Sequence, residues 1–436
     1  MHRRDFLELA LAGSAWSAMA AAAGNTAHVR TIGTTSLGRV VVVGAGYGGA
    51  TAAKYVRMLS GGRIDVILVD QNPDFISCPV SNRVLAGQKT LQQLTFGYDF
   101  LQQNHGVKFL QGSVTAIDAG KSHIVIDGKQ QGRNQGKNQG EKLSYDRLIV
   151  APGIDFMFDA FPMLAGAQQY IPHAWKAGLQ TRNLRQQLLA MPDGGVFTIV
   201  VPAQPYRCPP APYERACQVA FYLKTHKPRS KVLVLDANPV ITSKRALFER
   251  AWRDLYPGMI EYVPGSALQQ VEVATKTVKT AFDTVKSHVL NIIPPQRAGR
   301  IAQDCGLANV ERRWCEVDFV SYASTVLPKV HVIGDAIDSG LPKSAHMSNA
   351  QAKVCARAIV ALMRGQAPDP APAFGNTCYS HIDDRQAMHV ATLYRYDAAK
   401  KSMQSDGGSI LSDRPSAQEG VDADAWAQQI WADVLT

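Results

Sequence analysis

A thiol is the residue of this 436-residue chain whose surroundings most openly invite chemistry. Cys208 sits in Val200–Ala216, VVPAQPYRCPPAPYERA, a loop that carries five prolines. Glu214 follows near the start of the next predicted helix, where it can take or give the proton of a thiol exchange. The plain alternative for Glu214 is a first-turn carboxylate interacting with the helix dipole. Cys378, in Gly375-Asn376-Thr377-Cys378-Tyr379-Ser380, opens a small terminal domain just past the linker Pro368–Pro372. Its loop position makes it a better disulfide partner than Cys217 or Cys355, which fall on apolar helical faces. Seven cysteines are few for a disulfide scaffold of this length, and the odd number leaves at least one thiol free or otherwise bonded. No CxxC or Cys/His spacing suggests a metal site, and Cys305 and Cys315 receive no role.

Two βαβ units must position these groups. In the first, strand Arg39–Val43 runs into Gly44-Ala45-Gly46-Tyr47-Gly48-Gly49, then helix Ala50–Met58 and strand Ile64–Val69, ending in Asp70. In a GxGxxG turn the first glycine makes the tight turn and the second lets a pyrophosphate approach the backbone. The third lets helix and strand pack closely. Asp70 stands at a strand end, where a carboxylate bonds ribose hydroxyls. Strand, glycines, helix and acid together predict a dinucleotide site built on Gly44, Ala45, Gly46, Gly49 and Asp70; the alternative is a glycine-rich turn without a ligand.

The second unit begins near Tyr170, with helix Leu179–Met191, strand Val196–Val201, the proline loop, helix Tyr213–Thr225 and strand Lys231–Leu235 before Asp236. The proline loop stands where a chain with two dinucleotide sites would carry its second glycine loop. Proline has no backbone N–H, and a phosphate cradle needs several. One dinucleotide site is therefore expected, and no NAD(P).

A later strand, Leu327–Ile333, ends in Gly334-Asp335 and precedes a predicted helix, Ser348–Met363. This pattern resembles the flavin-ribityl motif of the glutathione-reductase-like flavoproteins, which implies FAD with Asp335 on the ribityl hydroxyls; the alternative for Asp335 is a helix N-cap. Leu148–Gly153 resembles the ATG motif of the same superfamily, with proline replacing threonine. Val114, in the predicted strand Gly112–Asp118 that follows the helical segment Leu101–Phe109, joins the cofactor-binding set. Cys78, in Asp74–Asn82, follows Asp70 closely enough to pass beside the flavin. That thiol can be redox-active, can bond the flavin ring, or can be inert. Ser122–Ile126 and Leu143–Val150 are predicted strands. The glycine-, glutamine- and asparagine-rich stretch between them, 128–142, has no apolar face to bury and is predicted as a solvated loop.

The expected fold class is α/β, with two Rossmann-like nucleotide-binding domains of the glutathione-reductase-like kind plus a small C-terminal α+β domain. A targeting segment occupies 1–23. The FAD-binding domain comes in two parts, 38–155 and 296–367, around a second Rossmann-like domain at 156–295 that lacks a nicotinamide site. The C-terminal domain is 368–436.

Four stretches together resemble the flavoprotein subunit of flavocytochrome c sulfide dehydrogenase. They are RCPPAPYERA at Arg207–Ala216, the CxxSN loop at Cys78–Asn82, KSAHMSNAQAKV at Lys343–Val354 and NTCYS at Asn376–Ser380. The resemblance runs essentially end to end after residue 23, although Pro79 stands where a bulky aromatic is expected. It implies FAD held covalently through Cys78, a redox-active disulfide between Cys208 and Cys378, and Glu214 as the proton-handling group. It further implies that sulfide is oxidised to sulfur or polysulfide and that electrons leave singly to a c-type cytochrome partner. This chain has no CxxCH site, so the haem is expected on that partner subunit only. Paralogues in thiosulfate-oxidising systems share the same motifs. Two rival readings are a sulfide:quinone oxidoreductase and a non-catalytic FAD electron-relay subunit.

Composition is globular, with 46% hydrophobic, 8% aromatic and 19% charged residues. The net charge of +10 suits an anionic substrate or acidic partner, or else is scattered over a solvated surface. No basic run interleaved with aromatics suggests nucleic acid. Arg3-Arg4-Asp5-Phe6-Leu7 before the weakly apolar run Leu9–Met19 and Ala20–Ala23 resembles a twin-arginine export signal. The mature chain is expected to start near Gly24 in a bacterial periplasm, exported already folded. No later segment reaches membrane-spanning length. The terminal segment Asp422–Thr436 has two tryptophans but no basic face, which makes it a weak membrane anchor.

Overall fold

Four consecutive valines, Val40–Val43, are buried in β1 (Gly38–Val43), as β-branched side chains suit a strand covered on both faces. In the computed structural model residues 35–129 and 137–436 are described, so the segment read as an export signal lies outside the described residues. After α1 (Tyr47–Leu59), β2 (Ile64–Asp70) lies parallel to β1, with Val40 opposite Val66. β3 (Lys108–Asp118) extends the sheet beyond β2. It also starts an antiparallel ribbon with β4 (His123–Lys129) and β5 (Lys137–Ser144). The chain then crosses back, and β6 (Arg147–Val150) pairs with the other side of β1, Val41 opposite Leu148. β1 is therefore the point where strand order reverses, and a ligand crevice opens beyond its carboxyl end.

Three sequence expectations need correction here. Much of the stretch 128–142, predicted as loop, belongs to the β4–β5 ribbon, while 130–136 lie outside the described residues. The ladder bonds of a two-stranded ribbon satisfy the backbone without any apolar face. The predicted strand Leu143–Val150 is two strands. The chain leaves β5 at Tyr145–Asp146, where Asp146 Oδ2 accepts the Arg39 N–H at 2.7 Å, and β6 then joins β1. The helix over Leu101–Phe109 is Asp99–His105, closed by Gly106 in the left-handed region (φ 64°), so Phe109 falls in β3.

The second unit runs α2 (Leu179–Ala190), β7 (Val196–Val201), α3 (Ala211–His226), β8 (Lys231–Asp236), α4 (Arg245–Leu255), β9 (Ile260–Val263) and β10 (Val289–Ile292). Its sheet is parallel in the order β9-β8-β7-β10. α3 starts two residues before the expected Tyr213, because proline in a first helical turn gives up only an N–H that had no partner. β11 (Val330–Val332) then returns to the first sheet beside β6. α5 (Ala345–Met363) begins three residues before the predicted Ser348, where the Ser344 hydroxyl accepts the Met347 N–H at 3.1 Å as a cap.

After residues 368–372 comes an antiparallel sheet of β12 (Ala373–His381), β13 (Ala387–Asp397) and β14 (Ser402–Leu411). α6 (Ala417–Leu435) follows, capped by the Ser416 hydroxyl on the Glu419 N–H. α6 packs inward on α1. Lys54 Nζ donates to the Asp433 carbonyl at 2.9 Å and the Tyr55 hydroxyl to Asp433 Oδ1 at 2.7 Å. Trp431 Nε1 reaches Ser77 Oγ at 3.0 Å, beside Cys78, so this tryptophan fastens the Cys78 loop. Among the described residues no helix is long and apolar enough to cross a membrane, and no group of His, Cys, Asp and Glu is arranged to hold a metal ion.

Candidate active site

One cavity of about 960 Å³ opens beyond the carboxyl ends of the β1 sheet and receives nearly every residue singled out in the sequence. Gly44, Ala45, Gly46, Asp70 and Val114 line one part of it; Gly334 and Asp335 line another. Cys78, Cys208, Glu214 and Cys378 line the rest. Gly49 stands behind this wall, and its position explains its identity. A Cβ there would lie 1.7 Å from the Gly44 carbonyl oxygen, so only glycine lets α1 pack this closely on the turn. Gly46 is the opposite case: a Cβ there would meet nothing within 4 Å. The space above Gly46 is open on the cavity side, at the amino end of α1, where backbone N–H groups and the helix dipole attract phosphate.

Asp70 is fixed by its own turn. Its Oδ2 accepts the Ala45 N–H at 2.7 Å and its Oδ1 the Asn72 N–H at 2.8 Å. Asp335 is buried, and its Oδ1 has no partner among the protein atoms. Burial pushes its carboxyl pKa up, while Arg207 and Lys343 pull it down. An unpartnered buried carboxylate oxygen facing a cavity calls for a hydroxyl or amide donor from a ligand. The helix-cap alternative does not apply, because Ser344 caps α5. The open glycine turn, the fixed acid and the orphaned carboxylate fit a dinucleotide whose pyrophosphate lies at α1 and whose hydroxyls reach Asp335.

The proline loop places its thiol under backbone constraint. Cys208 takes φ 57°, in the left-handed region that a side chain disfavours, and its N–H donates to the Lys343 carbonyl at 2.7 Å. Glu214, one turn into α3, is buried, with Oε2 accepting from Asn82 Nδ2 and Oε1 from the His381 N–H, both at 3.0 Å. Burial raises its pKa and these two donors oppose the rise. Cys378 on β12 faces the same cavity, and its thiol is a free thiol here, as is that of Cys208. The two lie near enough that, after burial, ionised Cys378 is the largest cause holding the Cys208 pKa up. Cys78 Sγ accepts from the Ala177 N–H at 3.5 Å and from Arg207 at 3.6 Å. Val80 in the same loop takes φ 71°, costly for a β-branched residue.

Several groups here received no role from the sequence. Lys244 is buried, donates to the Cys378 carbonyl at 2.9 Å and is the largest influence lowering the Cys378 pKa against burial. Arg207, beside Cys208 in the chain, sends its guanidinium to Cys78 and to the Trp175 carbonyl. Arg215 is fully occupied: Nε donates to Asn82 Oδ1 at 3.1 Å and NH1 to Asn291 Oδ1 at 2.8 Å. His346 accepts the Thr377 N–H on Nδ1 at 2.9 Å, which puts its remaining proton on Nε2. Of these, Arg207, Arg215 and His346 lay inside quoted motifs; Lys244 had no local signature.

The glycine turn, the acid at the end of β2 and the late Gly-Asp turn, gathered on one cavity between two dinucleotide-type units, define the pyridine nucleotide-disulphide oxidoreductase fold. The model of that family matches residues 38–189. Two narrower models also match: "Sulfide dehydrogenase [flavocytochrome c] flavoprotein chain, central" over 181–294, and "Flavocytochrome c sulphide dehydrogenase, flavin-binding" over 370–435. The flavoprotein chain of sulfide dehydrogenase (flavocytochrome c) from Chlorobaculum thiosulfatiphilum is 54% identical over 46 residues, 11% of this chain and 94% of that sequence. The chain belongs to the family of flavocytochrome c sulfide dehydrogenase flavoprotein chains. Mouse mitochondrial sulfide:quinone oxidoreductase is 23% identical over 340 residues, covering 76% of this chain and 72% of the relative. The solved sulfide:quinone oxidoreductase of Aquifex aeolicus shares the fold, with a TM-score of 0.72, 17% identity and 91% of each chain covered.

Proposed function

We propose that this chain is an FAD-dependent oxidoreductase that oxidises sulfide to sulfur or polysulfide and passes electrons to a c-type cytochrome subunit. The observation that carries the reading is that Cys208, Cys378 and buried Glu214 share one cavity with the dinucleotide turn. FAD would be held by Gly44, Ala45, Gly46, Asp70, Val114, Gly334 and Asp335, with Cys78 as its covalent attachment. When bound, it supplies an acceptor for an electron pair that can be handed on one electron at a time.

The chain's own residues would work as follows. Cys208 and Cys378 form a disulfide in the resting enzyme. A hydrosulfide ion attacks one of its sulfurs; the S–S bond breaks, a persulfide forms on that cysteine and the other sulfur leaves as a thiolate. Glu214 takes the persulfide proton, and its raised pKa lets it hold that proton where an ordinary carboxyl would not. Lys244 and Arg207 place positive charge where thiolate develops, which also draws in the anionic substrate. The prolines of the Cys208 loop leave no phosphate cradle in the second unit, which supports a reaction without NAD(P). The twin-arginine-like start supports a periplasmic site for it.

Rapid anaerobic mixing with sulfide tests the reading. The wild type should bleach its flavin, and Cys208→Ser should keep FAD but fail to bleach. A wild type that stays oxidised would mean a relay subunit, not an enzyme. The likeness to sulfide:quinone oxidoreductases favours a second reading, with quinone as the acceptor. Catalytic reduction of cytochrome c but not of a soluble quinone separates the two.

A further inference from the structure

The proposed reaction leaves a proton on Glu214, whose side chain is buried and whose two oxygens are held by Asn82 and by the main chain of His381. That proton needs a way out. His381 lines the same cavity as Glu214, and its ring Nδ1 is buried without a hydrogen-bond partner. The other ring nitrogen, Nε2, lies 3.9 Å from Oδ1 of Asp424, and the two side chains are 5% and 43% exposed. Asp424 is held in place by Arg83 at 2.6 Å. A carboxylate beside Nε2 favours the tautomer protonated there, which leaves the Nδ1 lone pair open toward the interior. The buried acid, bonded to the main chain of His381, and the half-exposed acid beside its Nε2 thus meet at one residue.

We propose that His381 and Asp424 are the proton exit for Glu214. Nδ1 receives a proton from the Glu214 carboxyl, Nε2 releases its own to Asp424, and Asp424 gives it to water; proton exchange from Nδ1 to Nε2 through water then restores the starting tautomer. The charge balance closes, since one proton enters the ring and one leaves. The groups that act on the ring are Arg83 and Lys89 beside the Cys78 loop, Lys244 before α4 and Asp424 on α6, while Glu214 on α3 bonds its main chain. Burial and the three cations hold the imidazole pKa down, to about 4, with Asp424 opposing them. The ring is therefore neutral at rest and sheds an extra proton quickly, as a shuttle must. Gln218, one turn beyond Glu214, fixes the strand by donating to the His381 carbonyl at 3.2 Å.

This rests on the reading of Glu214 as proton acceptor, and the test keeps the two apart. Holoprotein is mixed anaerobically with sulfide and flavin bleaching is followed in wild type, His381→Ala, His381→Asn, Asp424→Asn and Asp424→Glu. Each is assayed with and without added imidazole. Loss of the relay should slow bleaching by about tenfold or more in both His381 variants and in Asp424→Asn. Asp424→Glu should stay near wild type, and imidazole should restore much of the rate of His381→Ala. Wild-type rates in Asp424→Asn and His381→Asn would overturn the relay, as would slowing that neither imidazole nor Asp424→Glu relieves. A wild type that does not bleach would overturn the proposed function and the relay with it. Asp424 is half-exposed on a helix, so its variants report even if the His381 variants fail to fold.

Discussion

Asn82 donates from Nδ2 to Oε2 of Glu214 across 3.0 Å, joining the loop after Cys78 to the helix after Cys208. The amide is oriented from both sides, because its Oδ1 accepts from Arg215 Nε at 3.1 Å. The donor favours the ionised carboxylate. Asn82→Ala should therefore move the pH inflection of sulfide-driven bleaching upward and lower the rate below it. Leaving the carboxylate oxygen and the Arg215 Nε–H unpaired should also destabilise the fold by about 1–3 kcal/mol. An unchanged inflection in a folded variant would remove Asn82 from the tuning of Glu214.

The two glycines of the turn should fail in different ways. Gly49→Ala forces a Cβ to within 1.7 Å of a backbone oxygen, so it should disrupt the β1–α1 packing and lower the melting temperature of the apoprotein. A Cβ added at Gly46 meets no protein atom, so Gly46→Ala should fold normally, yet lose bound FAD because its side chain occupies the phosphate approach. Thermal unfolding of apoprotein beside flavin content of purified holoprotein checks both. Normal flavin loading in Gly46→Ala would place the pyrophosphate elsewhere.

Covalent attachment at Cys78 has a simple chemical signature. Yellow colour should stay with acid-precipitated wild-type protein and pass to the supernatant in Cys78→Ala. Colour released from the wild type would show that the thiol, with its Ala177 and Arg207 donors, serves another purpose.

Acid should weaken this fold through histidines buried in neutral form. Burial holds His173 down to about 3 and His331 to about 4. His331 Nδ1 bonds the Ser321 carbonyl at 2.9 Å, and Nε2 faces Arg147 at 3.5 Å. The unfolded chain takes up these protons near pH 6.5 while the folded one refuses them. The stabilisation is therefore complete above that pH and is lost as pH falls toward 4. Urea midpoints should drop steadily from pH 7 to pH 5, and His331→Asn should lessen the drop. A flat profile would contradict the burial of a neutral ring.

Much of this site was legible locally because its elements are local. A βαβ turn needs its glycines at a set spacing, and Gly44, Gly46, Gly49 and Asp70 stand in that order. A buried parallel strand needs β-branched residues, and Val40–Val43 supply them. The misread segments are those where a long-range partner decides. Ribbon pairing rescued the polar residues around 137–142, and Asp146 broke a strand by bonding Arg39.

By itself the sequence determined one glycine-built dinucleotide turn, a second unit whose prolines deny it another, and a thiol followed by an acid one helical turn into α3. Spacing along a chain suffices for those, since each is set within a few residues. Only the tertiary structure decided what surrounds the acid. Asn82, Lys244 and His381 reach the thiols and Glu214 from three separate elements. Their charge and hydrogen bonds matter because burial removes the water that would otherwise screen them. Burial and approach across the fold belong to no short stretch of sequence.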